Sequence, residues 1–499
     1  MATFLETIAR DLGLLIQLPA LLALPTLVIA ALAGELFVLP GILAMAVLSL
    51  LSGQLLYRYG RGASETFPTL SLIVAALAWL IIALLGAIPF YCAAWLGSEL
   101  SPTTLAFRDP LNALFEAMSG FTSTGLTMAS DPSTLPMTLQ WWRSLSEWVG
   151  GVGVIVFALA FVTFHEDGYE LYTAEARSRQ IGKNINTTVR RIWGIYLFYT
   201  VLTIIVYVTL GMPWWEALNH GLTGISTGGF AVTANSFGDY SASIRWATLG
   251  IICAGAITFR SHDALLRRGD WRFVLRQSQI RAFGVLLVSG TLLLVLVNRT
   301  LAPSTHIIDT IFQWVSALGT SGFSTVDLST WNQPALLLLT VAMAVGATAG
   351  STVGGLKLSR LTWLVKAVVW RLQRLWLQEG REPTYTFNGE RKDFQEVFDQ
   401  VHSAAVMALL WGAMIFLGSL ILLLLMTPQY GLHEVLFEAT SALSSVGLSV
   451  GITTPDLHPV GRLTLILLMW MGRLEILAVL TLLSAPFGMY LRSARRSVK

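Results

Sequence analysis

Four short segments place hydroxyl residues just ahead of a glycine: Thr122-Ser123-Thr124-Gly125, Thr227-Gly228-Gly229, Thr320-Ser321-Gly322 and Ser445-Val446-Gly447. The chemistry open to such turns is not covalent. It is the dehydration of a cation, whose lost water must be replaced by oxygens, and rings of backbone carbonyls supply them. Glycine reaches positive φ at little cost and leaves no side chain on the axis. The neighbouring hydroxyls can bond a bent backbone or add oxygens of their own.

Each turn follows a matching start: Phe115-Glu116-Ala117, Trp215-Glu216-Ala217, Phe312-Gln313-Trp314 and Phe437-Glu438-Ala439. Ten residues separate the aromatic from the glycine in copies one, three and four, and fourteen in copy two. The longer gap predicts one extra turn of helix in copy two, at about 3.6 residues per turn. Such a fixed internal period implies repeats, here of a short helix running into a polar bend. Each helix would aim a partial charge near −0.5 from its carboxy terminus at an ion. Glu116, Glu216 and Glu438 read as first-turn residues, where the dipole favours an anion. Asp109 and Asp309 precede two of the helices, and these outer carboxylates would enrich cations.

The elements that must hold these turns are membrane helices. Of 499 residues, 54% are hydrophobic and only 12% charged, against roughly 25% charged in soluble domains. Apolar runs near 11–33, 37–56, 69–96, 140–164, 192–210, 246–259, 282–298, 335–349, 403–426 and 463–485 predict ten spans. The first is too long, and too interrupted by Pro19 and Pro25, for a cleaved signal peptide. Cys92 and Cys253 both fall inside apolar runs, which argues against a disulfide framework. Of the 32 Lys and Arg, 26 lie at the two termini or around 57–62, 165–191, 260–281 and 357–392. By the positive-inside rule those segments and both termini are cytoplasmic, which leaves all four glycine turns on the outer side. Non-helical backbone at that depth survives only where protein or a water-filled cavity satisfies it. The expected fold is therefore an all-α polytopic membrane protein of four membrane–pore helix–membrane repeats in a pseudo-four-fold arrangement, with two extra amino-terminal transmembrane helices.

Two further features lie at membrane depth. The run Val345-Gly346-Ala347-Thr348-Ala349-Gly350-Ser351-Thr352-Val353-Gly354-Gly355-Leu356-Lys357 carries four glycines and three hydroxyl residues. Glycine costs a helix about 1 kcal/mol, so this run predicts a broken helix lining the cavity, able to move as a gate. It is not a phosphate loop, because Leu356 follows Gly355 where that motif needs Lys. Arg473 is an ionisable residue inside the last span, a functional position by default. Two readings of it are open: a cationic barrier below the filter, or a structural pair with a carboxylate. Glu475, two residues away, does not share its helix face. Arg143 and Glu147, four apart, read as a pair on one face. His220 either bonds behind the filter or merely packs. The histidines show no metal-ligand spacing, and no catalytic arrangement converges.

These residues together resemble the Trk/Ktr/HKT superfamily of potassium transporters, specifically the TrkH type, over nearly the whole chain. The matching motifs are Trp148-Val149-Gly150-Gly151-Val152-Gly153, Ser226-Thr227-Gly228-Gly229-Phe230, Ala349-Gly350-Ser351-Thr352 with Gly354-Gly355-Leu356-Lys357, and Gly472-Arg473-Leu474-Glu475. The resemblance implies filter glycines at Gly125, Gly229, Gly322 and Gly447, an intramembrane gate over 346–355, and Arg473 as the arginine below the filter. It implies K+ as the transported ion, with no bound cofactor. Relatives with serine at the first glycine tend to admit sodium, so glycine at all four positions favours potassium. The family pattern also implies a homodimer in membrane lipid, each protomer with its own pore. It implies a cytoplasmic, TrkA-like nucleotide-binding regulatory subunit, and the bacterial inner membrane; nucleic acid is not a partner. On this reading the chain divides into an extension over 1–62 and repeats over 63–190, 191–278, 279–390 with the gate, and 391–499. Two departures stand out: Val446, apolar before its glycine, is no obstacle if only carbonyls point inward, and Gln313 in place of an acidic residue excludes that position as an obligatory ion ligand. The rivals are a Na+- or H+-coupled symporter, whose repeats would commonly be inverted, and a membrane sensor or enzyme with a degenerate pore.

Overall fold

The computed structural model describes residues 2–63, 68–154, 156, 159, 185–377 and 383–485. The basic stretch 165–184, the end of the fourth predicted span and the basic carboxy terminus lie outside the described residues. The described chain is mostly helical, and the strands among the described residues are one short hairpin, Thr386–Phe387 paired with Glu390–Arg391.

Helices α1 (Ala2–Leu15), α2 (Leu18–Ala33), α3 (Leu39–Tyr59) and α4 (Pro68–Leu96) come first. A break at Ile16 and Gln17 separates the first two, and the pair passes together as one apolar stretch. The first repeat adds α5 (Pro110–Thr122) and α6 (Met137–Val152); the second, α7 (Ile185–Thr209), α8 (Trp214–Ile225) and α9 (Ala242–Ala256), continued by α10 (Phe259–Arg268). The third holds α11 (Ser278–Leu301), α12 (Ile307–Leu318) and α13 (Gln333–Val345), then α14 (Leu358–Trp376). The fourth holds α15 (Phe394–Met426), α16 (Leu432–Leu443) and α17 (Pro459–Arg473), continued by α18 (Leu477–Ala485).

Not all predicted spans are single rods. Among the described residues six helical stretches are long and apolar enough to cross a bilayer unbroken. Helix α9 turns into α10 through 102°, and α17 into α18 through 110°. The second bend carries Glu475 and Ile476 at φ of 60° and 61°, unusual for non-glycine residues. Helix α13 stops after 13 residues at Gly346, short of a full crossing. Hydropathy sees the apolar content of these segments but not their breaks.

The amino-terminal extension is docked by packing and by charge. Helices α1 and α2 lie on α3, and α2 also reaches α6. Glu35, just after α2, caps α6 by accepting from the N–H groups of Met137 and Thr138, both at 2.8 Å. A carboxylate there complements the positive end of the helix. On the opposite side a small aromatic core joins α14, the hairpin and the start of α15, with Trp363 stacked on Phe387 at 3.8 Å.

Candidate cation pathway

The four short helices α5, α8, α12 and α16 stop in the same way. Ser123, Thr227, Thr320 and Ser445 lie in the left-handed region, at φ of 53°, 52°, 44° and 50°. Each donates its N–H three residues back, to Gly120, Gly224, Ala317 and Ala442. The next residue donates five back: Thr124 to Ser119 at 2.9 Å, Gly228 to Thr223 at 3.1 Å, Ser321 to Ser316 at 2.9 Å, Val446 to Ser441 at 3.0 Å. This pair of bonds is a Schellman stop, usually made with glycine. Here a hydroxyl residue occupies the bend at a cost of about 1–2 kcal/mol. The chain then turns again at Gly125, Gly229, Gly322 and Gly447, at φ of 91°, 97°, 76° and 95°. Sequence reasoning gave the glycine the whole bend and missed the first half. The signal was present: a Ser or Thr two residues before every glycine.

The four turns meet. A Cβ added to Gly125 would collide with Gly228 O, one on Gly229 with Ser321 O, one on Gly322 with Val446 O, and one on Gly447 with Thr124 O. The contacts run from copy one to two, two to three, three to four and four back to one. The glycines therefore form a closed ring in which each touches the carbonyl ahead of the next. A side chain at any of them would open it.

Behind the ring stands one polar residue per copy, nine before the glycine. Glu116 accepts from Met128 N at 2.7 Å, Thr127 Oγ1 at 2.8 Å and Arg143 Nε at 2.6 Å. Glu438 accepts from Val450 N and Thr453 N, both at 3.1 Å, and from Ser449 Oγ and Thr453 Oγ1. His220 Nε2 faces Val232 N at 3.4 Å, and Gln313 Nε2 donates to Ser324 Oγ at 3.1 Å. Each group ties the strand leaving the glycine turn to the helix entering it.

This geometry corrects several expectations. Helix α8 has 12 residues, as do α12 and α16, so copy two has no extra turn. Its equivalent of Glu116 is His220, not Glu216. Glu116 and Glu438 sit seven residues into their helices and are fully buried, so they brace the backbone and do not face incoming cations. Asp109 and Asp309, expected to enrich cations, are instead paired with Arg462 at 2.6 Å and Arg245 at 3.1 Å. Asp309 also lies inside the first turn of α12, not before it. Arg143 pairs with Glu116, not with Glu147.

Directly beneath the ring lies the segment after α13. Its backbone leaves helical geometry at Gly346, with positive φ at Gly346, Gly350, Gly355 and Lys357. Thr348 Oγ1 donates to Ala256 O at 2.6 Å, and Ser351 Oγ to Thr348 O at 2.6 Å. Ala349 N reaches Gln279 Oε1 at 3.1 Å, and Gly350 O accepts from Phe259 N at 3.0 Å. Thr352 Oγ1 lies 3.1 Å from Thr227 Oγ1, and Gly354 N donates to Thr320 Oγ1 at 3.0 Å. Ala347 is buried, and Gly354 and Gly355 pack against Ser444 O and Gly346. Two of the four left-handed residues, Thr227 and Thr320, thus hold the segment against the ring through their hydroxyls.

Arg473 joins this assembly through carbonyls. It donates to Thr352 O at 3.4 Å, to Gly151 O at 3.0 Å and to Gly150 O, and lies 5.6 Å from the Trp79 ring centre. Glu475 pairs instead with Lys357, at 2.7 Å, and with Arg360. Below the segment a cavity of about 350 Å³ is lined by Ala349, Gly350, Lys357, Arg360 and Glu475 among others. Chemically the arrangement offers a cation a ring of carbonyls at four helix carboxy termini, then a plug carrying a guanidinium.

Comparison with known proteins agrees with this architecture. The family described as TrkH, cation transport protein, matches residues 42–493. An uncharacterized cation transporter of Methanocaldococcus jannaschii is 30% identical over 85% of this chain and 84% of its own length. The Trk system potassium uptake protein TrkH of Halomonas elongata is 27% identical over 97% of this chain and 99% of its own. The crystal structure of the potassium transporter TrkH from Vibrio parahaemolyticus is similar at a TM-score of 0.81 and 25% identity, covering 97% of this chain and 99% of that one.

Proposed function

The chain belongs to the TrkH family of cation transport proteins, and from that premise we propose that it takes up potassium through a pore within one protomer. It is a multi-pass membrane transporter and not an enzyme. The reading is carried by the closed ring of four turns at the carboxy termini of α5, α8, α12 and α16. A K+ ion losing its water there meets carbonyls from Thr122 to Gly125, Thr227 to Gly229, Thr320 to Gly322 and Ser445 to Gly447. Four helix ends, each near −0.5 charge, favour a cation at that point. No bound cofactor is needed: 100 mV, inside negative, supplies about 2.3 kcal/mol per monovalent ion.

The segment 346–355 is the gate. Thr227 and Thr320 hold it shut against the filter, and Arg473 adds a positive barrier at Thr352. Opening requires the segment to leave those hydroxyls and widen the path into the cavity below. The repeats divide as 63–190, 191–278, 279–390 and 391–499, with 1–62 as an extension docked through Glu35. The reading extends to a homodimer in the bacterial inner membrane, both termini cytoplasmic, with a TrkA-like subunit on the cytoplasmic face. The basic segments around 260–281 and 357–392 support that docking site.

Potassium isotope flux into liposomes holding the purified protein alone tests the central claim. Voltage-dependent uptake without fixed coupling to Na+ or H+ is expected. Gly125→Ser, which forces a side chain onto Gly228 O, should lower the K+ over Na+ permeability ratio. Unchanged reversal potentials in mixed K+ and Na+ would remove the ring from the filter role.

A further inference from the structure

Where copy one meets copy two the four-fold pattern is broken by a buried carboxyl group against the filter strand. Helix α6 brings Arg143 and Glu147, one turn apart, against the strand that leaves the second filter turn. Glu147 is fully buried, and its two oxygens face Phe230 N at 3.2 and 3.0 Å. Arg143, 1% exposed, donates to Ala231 O at 2.9 Å and lies 4.1 Å from the centre of the Phe230 ring. Consecutive residues after Gly229 are thus held through two different peptides, Gly229–Phe230 by its N–H and Ala231–Val232 by its C=O. Among the described residues no carboxylate accepts from the equivalent N–H of Leu126, Phe323 or Leu448.

The clamp also accounts for an oddity of sequence. Copies one, three and four carry Thr124, Ser321 and Val446 before the filter glycine, whereas copy two carries Gly228. A Cβ at Gly228 would stand 2.6 Å from Glu147 Oε2 and closer still to its Cδ. The carboxylate fills the space that a side chain would need. A buried carboxyl group is expensive unless its oxygens are bonded, so one kept here serves the strand it touches. Through Glu116, which Arg143 also holds at 2.6 Å, the same helix face reaches the first filter strand as well.

We propose that Glu147 and Arg143 are positioning residues that set the K+ over Na+ discrimination of the second filter turn. The proposal rests on the reading of Gly229 as a filter residue. Neither side chain touches the ion; Glu147 fixes the Gly229–Phe230 peptide, which carries the Gly229 carbonyl, and Arg143 fixes the strand two residues further on.

The test is the K+ over Na+ permeability ratio, measured from reversal potentials in proteoliposomes, beside the elution profile of each variant. Glu147→Ala should lower the ratio by up to about tenfold, the scale of one hydrogen bond lost to the filter backbone. Glu147→Gln keeps an oxygen for Phe230 N and should hold the ratio within about twofold of the parent. A purely structural residue would lower the amount of folded protein and the total flux while leaving the ratio unmoved. Glu147→Asp withdraws the acceptor with little loss of volume and gives the same reading if the alanine variant does not fold. Parental ratios for Glu147→Ala or Glu147→Asp, beside a lowered ratio for Gly229→Ser, overturn the clamp and leave the filter standing. Parental ratios in all three remove the filter reading itself.

Discussion

Replacing Thr352 by valine tests the gate at the bond that holds it. The Thr352 hydroxyl lies 3.1 Å from Gly255 O, 3.3 Å from Ile225 O and 3.1 Å from Thr227 Oγ1. It has one proton, so it can donate to one carbonyl and accept from Thr227, two bonds at most. Valine keeps the branched shape and loses both. At about 1 kcal/mol net per bond, the closed segment loses about 1–2 kcal/mol relative to a state in which it has left the filter. That shifts the closed-to-open ratio by a factor of roughly 5–30. Basal potassium flux through the purified protein in liposomes should rise by up to that factor, as long as the closed state still dominates in the parent. The permeability ratio should stay put, because Thr352 meets the second turn only at the Thr227 side chain and bonds none of the carbonyls from Thr227 to Gly229. Parental flux from folded Thr352→Val protein would refute the hydroxyl lock. So would a rise in flux accompanied by lost selectivity, since the substitution would then be acting on the ring.

Two more substitutions probe the charges around the same segment. Arg473→Gln removes the positive barrier and part of the tie to Thr352 O, Gly150 O and Gly151 O, so single-protomer conductance should increase; an unchanged current–voltage curve would reduce Arg473 to a packing residue. Glu475→Gln leaves Lys357 and Arg360, with side chains only 15% and 20% exposed, without their carboxylate. Breaking a buried pair costs about 3–5 kcal/mol, which should lower the unfolding midpoint in detergent and raise basal flux. A parental midpoint would mean that the triad contributes nothing to holding the α17–α18 bend against the gate.

The sequence by itself determined what is local and what is repeated. Its apolar runs specify membrane helices, and four glycine turns at a common spacing specify four equivalent helix stops, because bonds that close a helix reach back only three to five residues. The glycine-rich run 346–355 announces a broken helix for the same reason. Register in copy two was beyond this logic: the aromatic–acidic pattern pointed to Glu216, while position relative to Gly229 selects His220. Partner choice was also beyond it. Arg143 lies 4 positions from Glu147 but pairs with Glu116, 27 away, and Glu475 pairs with Lys357, 118 away. A buried charge takes the partner that packing brings within reach, and which helices meet is decided by the whole assembly. For the same reason only the tertiary structure shows that the four bends close into one ring.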